Sequence, residues 1–249
     1  MTEIEKKRNA RKKELIENIV FILILASLLI VIIIVVSNNN MNKYNPDPSL
    51  YVKYDLTKDL IPEPKQKMIS NDKFTINVRG VTLNVTKLAT YDIIGKVEAI
   101  KDYNTNSIAN ILSFKGDNVY DYISPIDLTL SWGQIAKKEN AGHIYCDQYV
   151  CNAYRSVAIS IDNYLVNKYG MKESFAQVSN NHLISLNKDI RNLFSKVKLD
   201  DVVRIVGYLV YVQDSDGGNW GPSSTSRTDG GNFDGCEIIW VEDFVIMPK

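Results

Sequence analysis

The stretch "LNKDIRNLFSKVKLDDVVRIVGYLVYVQ" (residues 186–213) places a helical pattern directly before a long strand pattern. Its first part carries apolar residues at helical spacing, with Asn187 as a suitable N-cap, and so predicts an amphipathic helix. Its second part is rich in β-branched residues on both faces and has Gly207 in its middle, which predicts a bent strand inside a closed or covered sheet. A helix followed by a bent strand, a turn and a last strand is compatible with a small β-barrel such as the OB-fold.

Strand patterns also dominate the chain on either side of this stretch. "FTINV" and "VTLNVT" alternate apolar and polar residues around Arg79–Gly80 and predict a hairpin. Further strand patterns occur at residues 91–103, 122–133 and 236–247. The sequence therefore predicts a mainly β (α+β) globular domain over residues 74–249, β-barrel-like, with one packed amphipathic helix. Residues 134–182 are expected to form an insertion or lid outside the core.

The segment "IVFILILASLLIVIIIVV" (residues 19–36) contains no charged residue, no glycine and no proline. As a helix it would be roughly 27 Å long, close to the hydrocarbon thickness of a bilayer, and it predicts a transmembrane helix. Lysines and arginines are concentrated before it, so the positive-inside rule places residues 1–18 in the cytoplasm as a basic tail and the C-terminal domain outside the cell membrane. The apolar run is longer than that of a cleaved signal peptide, which favours an uncleaved signal-anchor over cleavage near Ser37.

Residues 37–73 are rich in asparagine, proline and lysine and predict an extracytoplasmic stalk. The whole chain has 29 basic and 29 acidic residues and a formal net charge of zero. A nucleic-acid partner usually requires a basic face, so this balance argues against one. We therefore expect a single-pass integral membrane protein whose exported domain contacts a protein partner in the cell envelope.

Four motifs follow one another along the chain: "ISPIDLTLSWG", "SNNHLISLN", "DDVVRIVGYLV" and "PSSTSRTDGGNFDGCEIIWVE". In this order they resemble an uncharacterised family of prokaryotic membrane-anchored or exported proteins with no known activity. The resemblance covers roughly residues 85–246, and the last motif is its most specific part. It implies a shared fold and a shared site without naming a function. The glycine-rich part from Gly231 to Gly235 is longer than the family pattern, and Cys146 and Cys151 lie outside that pattern.

The segment "WGPSSTSRTDGGNFDGCEIIWVEDF" (residues 220–244) is the densest polar part of the chain. Hydroxyls, an arginine and glycine clusters can together bind an anion, whereas the alternative is a hairpin loop in which Arg227 pairs with Asp229 or Glu237. A nucleophilic serine here lacks the G-x-S-x-G elbow, and His182 is its candidate base. Trp220 offers a stacking surface for a sugar or a base. The predicted binding surface consists of Asn181, His182, Trp220, Ser224, Ser226, Arg227 and Asp229.

The spacing His143-x₂-Cys146-x₄-Cys151 brings together atoms that can bind a metal, but it is not a standard zinc pattern. An extracytoplasmic location favours oxidation, so a Cys146–Cys151 disulfide is predicted, with free thiols and a metal site as the alternatives. We predict no metal and no cofactor.

Three functional classes remain open from the sequence. The first is a membrane-anchored protein whose extracytoplasmic β-rich domain is a binding or interaction module without enzymatic activity. The second is a membrane-tethered hydrolase or transferase that uses His182 with Ser224 or Asp229. The third is an OB-like module that binds an oligonucleotide or an oligosaccharide through Trp220 and Arg227.

Overall fold

The computed structural model describes residues 60–103, 119–151, 154–221 and 236–248, together with Ile19, Val20, Ile22 and Leu23. The chain divides into two compact units, Met1–Tyr44 and Asn45–Lys249. The four described residues of the first unit are helical, and the remainder of the predicted transmembrane helix lies outside the described residues. Within the ranges that the structure describes, no helix is long and apolar enough to cross a membrane.

The second unit is built mainly from β-strands, which confirms the predicted fold class at this level. The strands are β1 (Lys65–Val78), β2 (Val81–Asp102), β3 (Ile126–Ser131), β4 (Ile144–Cys151), β5 (Tyr154–Ile161), β6 (Val178–Ile184), β7 (Val202–Asp214), β8 (Asn219–Trp220) and β9 (Cys236–Ile246). The helices are α1 (Val119–Ile123), α2 (Asn163–Tyr169), α3 (Met171–Phe175) and α4 (Lys188–Phe194), with a 3₁₀ turn at Lys138–Asn140. Because β1 begins at Lys65, the end of the predicted stalk is strand.

Seven of these strands form one sheet in the order β1-β2-β3-β6-β9-β7-β8, and β2 also pairs with β7. Backbone pairing can therefore be followed from β2 through β3, β6, β9 and β7 and back to β2. The β6–β9 pair is parallel, and the other pairs in this circuit are antiparallel. β4 and β5 form a separate two-stranded sheet.

The predicted hairpin around Arg79–Gly80 joins β1 to β2, and β2 then continues far beyond it. Residues up to Asp92 pair with β1, whereas residues from Lys96 onward pair with β3. Gly95 lies at this change of neighbour, where a Cβ atom would come within 2.8 Å of the Leu130 Cβ. The two strands predicted on either side of residue 90 are thus one long strand, and its glycine permits the close approach of β3.

The predicted amphipathic helix is confirmed as α4. The Asn187 side chain accepts a hydrogen bond from the Asp189 backbone N–H at 2.8 Å, as expected of an N-cap. Ile190 and Phe194 are the buried residues of this helix, and the Phe194 ring packs edge-on against Phe244 of β9 at a centroid distance of 5.0 Å. This contact joins α4 to the sheet.

The region predicted as an insertion is shorter than expected. Between β3 and β6 the chain forms the β4–β5 hairpin and the helices α2 and α3. β6, by contrast, is buried at every residue and lies between β3 and β9 in the main sheet. The excursion therefore ends before Val178. The polar residues of "VSNNHLI" did not predict a core strand. The strand can lie in the core because this fold buries and hydrogen-bonds its asparagines.

At Gly207 the backbones of β7 and β9 pack too closely to leave room for a side chain. A Cβ atom at this position would overlap the backbone carbonyl oxygen of Trp240, next to the register shift between Val206 and Gly207. Since backbone atoms cannot rotate away as a side chain can, Gly207→Ala is expected to lower the free energy of unfolding by about 3 kcal/mol. Urea denaturation followed by tryptophan fluorescence measures this change.

Gly142→Ala is the matched control for this prediction. Gly142 has a φ of 81°, and no atom lies within 4 Å of its ideal Cβ position. Its substitution should cost only the conformational strain of a left-handed residue, about 1 kcal/mol. Equal losses in the two variants would contradict the proposed clash at Gly207.

Candidate functional site

Two of the predicted site residues, His182 on β6 and Trp220 on β8, lie together in the structure. Their ring centroids are 5.0 Å apart, with the ring planes tilted by 56°. His182 is fully buried, whereas Trp220 is half-buried. The structure thus brings an imidazole, predicted from the sequence as a candidate acid or base, next to an aromatic wall. The other predicted residues Ser224, Ser226, Arg227 and Asp229 lie outside the described residues.

Asn181 does not join this pair. Successive residues of a strand face opposite sides of the sheet, so the side chains of Asn181 and His182 point away from each other. The Asn181 amide Nδ2 donates to the carbonyl oxygen of Leu128 at 3.1 Å and to that of Ser179 at 3.0 Å. Its role is to hold β6 to β3 within the fold.

Asp127 is a site residue that sequence reasoning missed. It lies directly opposite His182 in the β3–β6 pairing, and cross-strand partners share one face of a sheet. The Asp127 Oδ1 atom lies 2.8 Å from His182 Nδ1, although this short contact does not have the geometry of a hydrogen bond. Both side chains are almost completely buried. A single acidic residue in the apolar strand "IDLTLS" was the available signal.

Arg155, on β5, completes the buried charge pair. Its Nη2 atom donates to Asp127 Oδ1 at 2.6 Å, and its Nη1 atom donates to the Ser124 carbonyl oxygen at 2.7 Å. The guanidinium carbon lies 3.5 Å from the centroid of the Tyr103 ring and 5.5 Å from that of the Trp220 ring. We refer to Tyr103, Asp127, Arg155, His182 and Trp220 as the Asp127 cluster.

Tyr103, the residue that follows β2, stays protonated in this cluster. Burial, followed by the nearby Asp127 carboxylate, raises the pKa of Tyr103 to about 12, and Arg155 partly opposes both effects. Asp127 already receives a hydrogen bond from Arg155, and a neutral phenol beside it adds no second negative charge. The tyrosine therefore supports the buried ion pair at neutral pH.

The rim of the cluster is fixed by Tyr120 of α1. Its hydroxyl donates to Asp214 Oδ2 at 3.0 Å, and its ring meets Trp220 edge-on at 5.4 Å. Burial, followed by the contact with Asp214, raises the pKa of Tyr120 above its ordinary value. Asp214 Oδ1 in turn accepts from the backbone N–H groups of Asp216 and Gly218, which closes the turn before Trp220.

The predicted Cys146–Cys151 disulfide is not formed, because Cys146 is a free thiol. Both residues belong to the continuous strand β4. Five residues of extended chain span about 16 Å, far beyond the Cα separation that a disulfide permits. Burial raises the pKa of the Cys146 thiol to about 11, so it remains protonated at neutral pH.

His143, the histidine of the His143-x₂-Cys146-x₄-Cys151 motif, has a structural role. His143 Nδ1 lies 3.1 Å from Asp162 Oδ2, and the His143 ring stacks on Tyr164 with centroids 4.7 Å apart. These contacts fix the start of α2 against the turn before β4. In the part of the chain that the structure describes, no three or more potential metal ligands lie together.

Comparisons with protein-family models, curated proteins and solved structures found no match to this chain. The family resemblance carried by the four sequence motifs therefore stays a prediction. The functional argument depends on the geometry of the Asp127 cluster.

Removal of the Arg155 side chain should strongly destabilise the fold. The side chains of Arg155 and Asp127 are 4 % and 3 % exposed, so Arg155→Met leaves a buried carboxylate without its cation. The loss of unfolding free energy is expected to be about 3–5 kcal/mol, and Asp127→Asn in the same chain should restore part of it. Urea denaturation of both single variants and the double variant measures this coupling.

Lys168→Met is the control for this cycle. Lys168 pairs with Glu139 at 3.5 Å, but the two side chains are 35 % and 62 % exposed. A surface pair of this kind contributes at most about 1 kcal/mol. If Arg155→Met cost no more than Lys168→Met, the buried pair would not be a determinant of the fold.

Proposed function

We propose that the β-rich unit is an OB-like binding domain whose ligand-binding face contains the Asp127 cluster, on a protein anchored in the cell membrane by its N-terminal segment. The observation that carries this proposal is the meeting of residues from two sheet strands and two connecting segments in one cluster. Asp127 and His182 come from β3 and β6, while Tyr103 lies in the β2–β3 connection and Trp220 in the β7–β9 connection.

The order of strand pairing supports the OB-like assignment. The five strands of the pairing circuit, numbered one to five in chain order, are β2, β3, β6, β7 and β9. Strand one pairs with strand two, two with three, three with five, five with four, and four with one. The third and fifth strands are parallel, and α4 lies between the third and fourth. A five-stranded Greek-key barrel closed in this way, with a helix before its fourth strand, is the arrangement of the OB-fold.

This assignment also supports the position of the ligand-binding face. OB-folds bind oligonucleotides and oligosaccharides on the second and third strands and on the loops between strands one and two and between strands four and five. The corresponding strands are β3 and β6. The corresponding connections begin after Tyr103 and around Trp220, and the second includes Ser224, Ser226, Arg227 and Asp229. We propose that these four residues contribute to binding beside His182.

Trp220 provides the sharpest test of the binding face. Its ring is half-buried and contacts both His182 and Tyr120, so it can stack on a ligand while it remains part of the cluster. Removal of a stacking aromatic costs about 1–3 kcal/mol of binding energy, so Trp220→Ala should weaken binding of an oligosaccharide or oligonucleotide ligand about 10-fold or more. Calorimetry on the full chain in lipid nanodiscs measures the affinity.

Tyr145→Ala is the control, because Tyr145 is an exposed aromatic residue on β4 outside the Asp127 cluster. Its substitution should leave the affinity unchanged. Ligand binding that survives Trp220→Ala but is lost in Tyr145→Ala would move the binding face away from β6.

The proposed location follows from residues 1–36. A basic tail before a long uncharged apolar segment is typical of a signal-anchor with its N-terminus in the cytoplasm. We propose that residues 37–249 are extracytoplasmic, where the domain would meet envelope glycans and envelope proteins.

A reporter fused after Lys249 tests this orientation. Alkaline phosphatase requires disulfides that form outside the cytosol, so the fusion should be enzymatically active, and deletion of residues 19–36 should abolish that activity. A fusion that is inactive as phosphatase but fluorescent with a cytosolic reporter would reverse the proposed location.

A membrane-tethered hydrolase or transferase is the second candidate function. The 2.8 Å contact between Asp127 and His182 favours it, since a carboxylate beside an imidazole can orient a general base. The nucleophile would be Ser224, or Asp229 would assist. Product formation from a ligand that binds to the Asp127 cluster distinguishes this candidate from a binding domain.

A further inference from the structure

Three buried polar atoms around Asp127 have no hydrogen-bond partner among the described residues. They are His182 Nδ1, Arg155 Nε and Ser124 Oγ. All three residues are more than nine-tenths buried. Buried polar groups in folded proteins nearly always have a partner in the protein, in ordered water or in a ligand. Because the Ser124 carbonyl accepts from Arg155 and Arg155 donates to Asp127, the Ser124 and Arg155 atoms belong to neighbouring residues and mark a place suited to a polar ligand.

Two of the three atoms can donate a hydrogen bond to a ligand. Arg155 Nε is always a donor, and the Ser124 hydroxyl can donate. His182 Nδ1 lies 2.8 Å from Asp127 Oδ1, so it is not counted among the donors to a ligand. The ligand atom that fits this group is an oxygen that accepts hydrogen bonds.

The charges around these donors favour a neutral ligand over a polyanion. Arg155 Nη2 is bound by the Asp127 carboxylate, and a second carboxylate oxygen, from Asp121, lies 3.9 Å from Arg155 Nε. The Asp121 side chain is 30 % exposed, whereas that of Arg155 is 4 % exposed. A phosphate at this position would meet two carboxylates for one guanidinium, whereas a hydroxyl can accept from Arg155 and donate to Asp121.

Aromatic rings form the remaining wall. Trp220 and Tyr120 meet edge-on at the rim, and Tyr103 lies over the guanidinium of Arg155. Aromatic surfaces combined with carboxylate, guanidinium and hydroxyl groups can bind the apolar and hydroxyl-bearing faces of a sugar ring together.

We propose that the Asp127 cluster binds a saccharide, with a sugar hydroxyl oxygen accepting from Arg155 Nε and Ser124 Oγ beside His182. This inference rests on the proposed binding function and names its ligand class. A sugar hydroxyl that donates to Asp121 completes the pairing on the solvent side. The aromatic rim holds the sugar ring itself.

Ser124→Ala is the most direct test. The Ser124 hydroxyl has no partner among the described residues, so its removal should leave the unfolding midpoint unchanged. If the hydroxyl binds a sugar, the affinity should fall about fivefold, the usual effect of one lost hydrogen bond between neutral groups. Ser195→Ala is the matched control, because the Ser195 hydroxyl donates to the Asn192 carbonyl at the end of α4.

The full chain in nanodiscs is first applied to a glycan array and to single-stranded oligothymidylate. The saccharide that binds, such as a short oligomer of N-acetylglucosamine or of glucose, is then titrated calorimetrically into wild type, Ser124→Ala and Ser195→Ala. The expected result is saccharide binding that is weakened only in Ser124→Ala, without binding of oligothymidylate.

Three other results would contradict these proposals, each in a different way. Saccharide binding that is equally tight in Ser124→Ala overturns the proposed contact. Binding of oligothymidylate but of no glycan overturns the ligand class and leaves the proposed OB-like binding function standing. Binding of neither class by a folded chain overturns both proposals.

Discussion

The candidate site depends on the buried pairing of Asp127 with Arg155. Arg155 belongs to the β4–β5 hairpin, which shares no backbone pairing with the seven-stranded sheet within the described residues, whereas Asp127 belongs to that sheet. The guanidinium also binds the Ser124 carbonyl and lies against the Tyr103 ring. One side chain therefore joins the hairpin, β3, the end of α1 and the end of β2. This one contact positions the donors of the proposed binding site.

The closure of the pairing circuit supplies the second constraint. β2 is long enough to pair with β1 and β7 along one part and with β3 along another, and Gly95 and Gly207 allow the backbones to approach where they do. With the circuit closed, β6 lies between β3 and β9. Trp220 then contacts His182, and Cys236 pairs with Asn180. The residues before and after the polar segment 222–235 are thus both adjacent to β6, which supports the inclusion of that segment in the proposed binding face.

Local patterns predicted the elements that local interactions determine. The helix with its Asn187 cap, the hairpin at Arg79–Gly80 and the strand β7 all followed from periodicity and turn chemistry. β6 was not predicted as a strand, because its asparagines are polar and their burial depends on partners in other strands. Asp127 and Arg155 were not predicted as site residues for the same reason, since their pairing joins residues far apart in the chain. Sequence reasoning included His182 and Trp220 in one predicted binding surface, and the fold places their rings in contact.

The composition of the Asp127 cluster is difficult to explain by stability alone. Buried ion pairs lose hydration on folding, and well-packed apolar residues of similar size often stabilise a fold as well or better. Here the Asp127–Arg155 pair is joined by three buried polar atoms without hydrogen-bond partners among the described residues, each of which carries its own desolvation cost. A fold selected only for stability would not need these groups on β3 and β6 and in the segments that connect the strands. Their common position beside the Trp220 and Tyr120 rings supports the proposed recognition of a hydroxyl-bearing ligand.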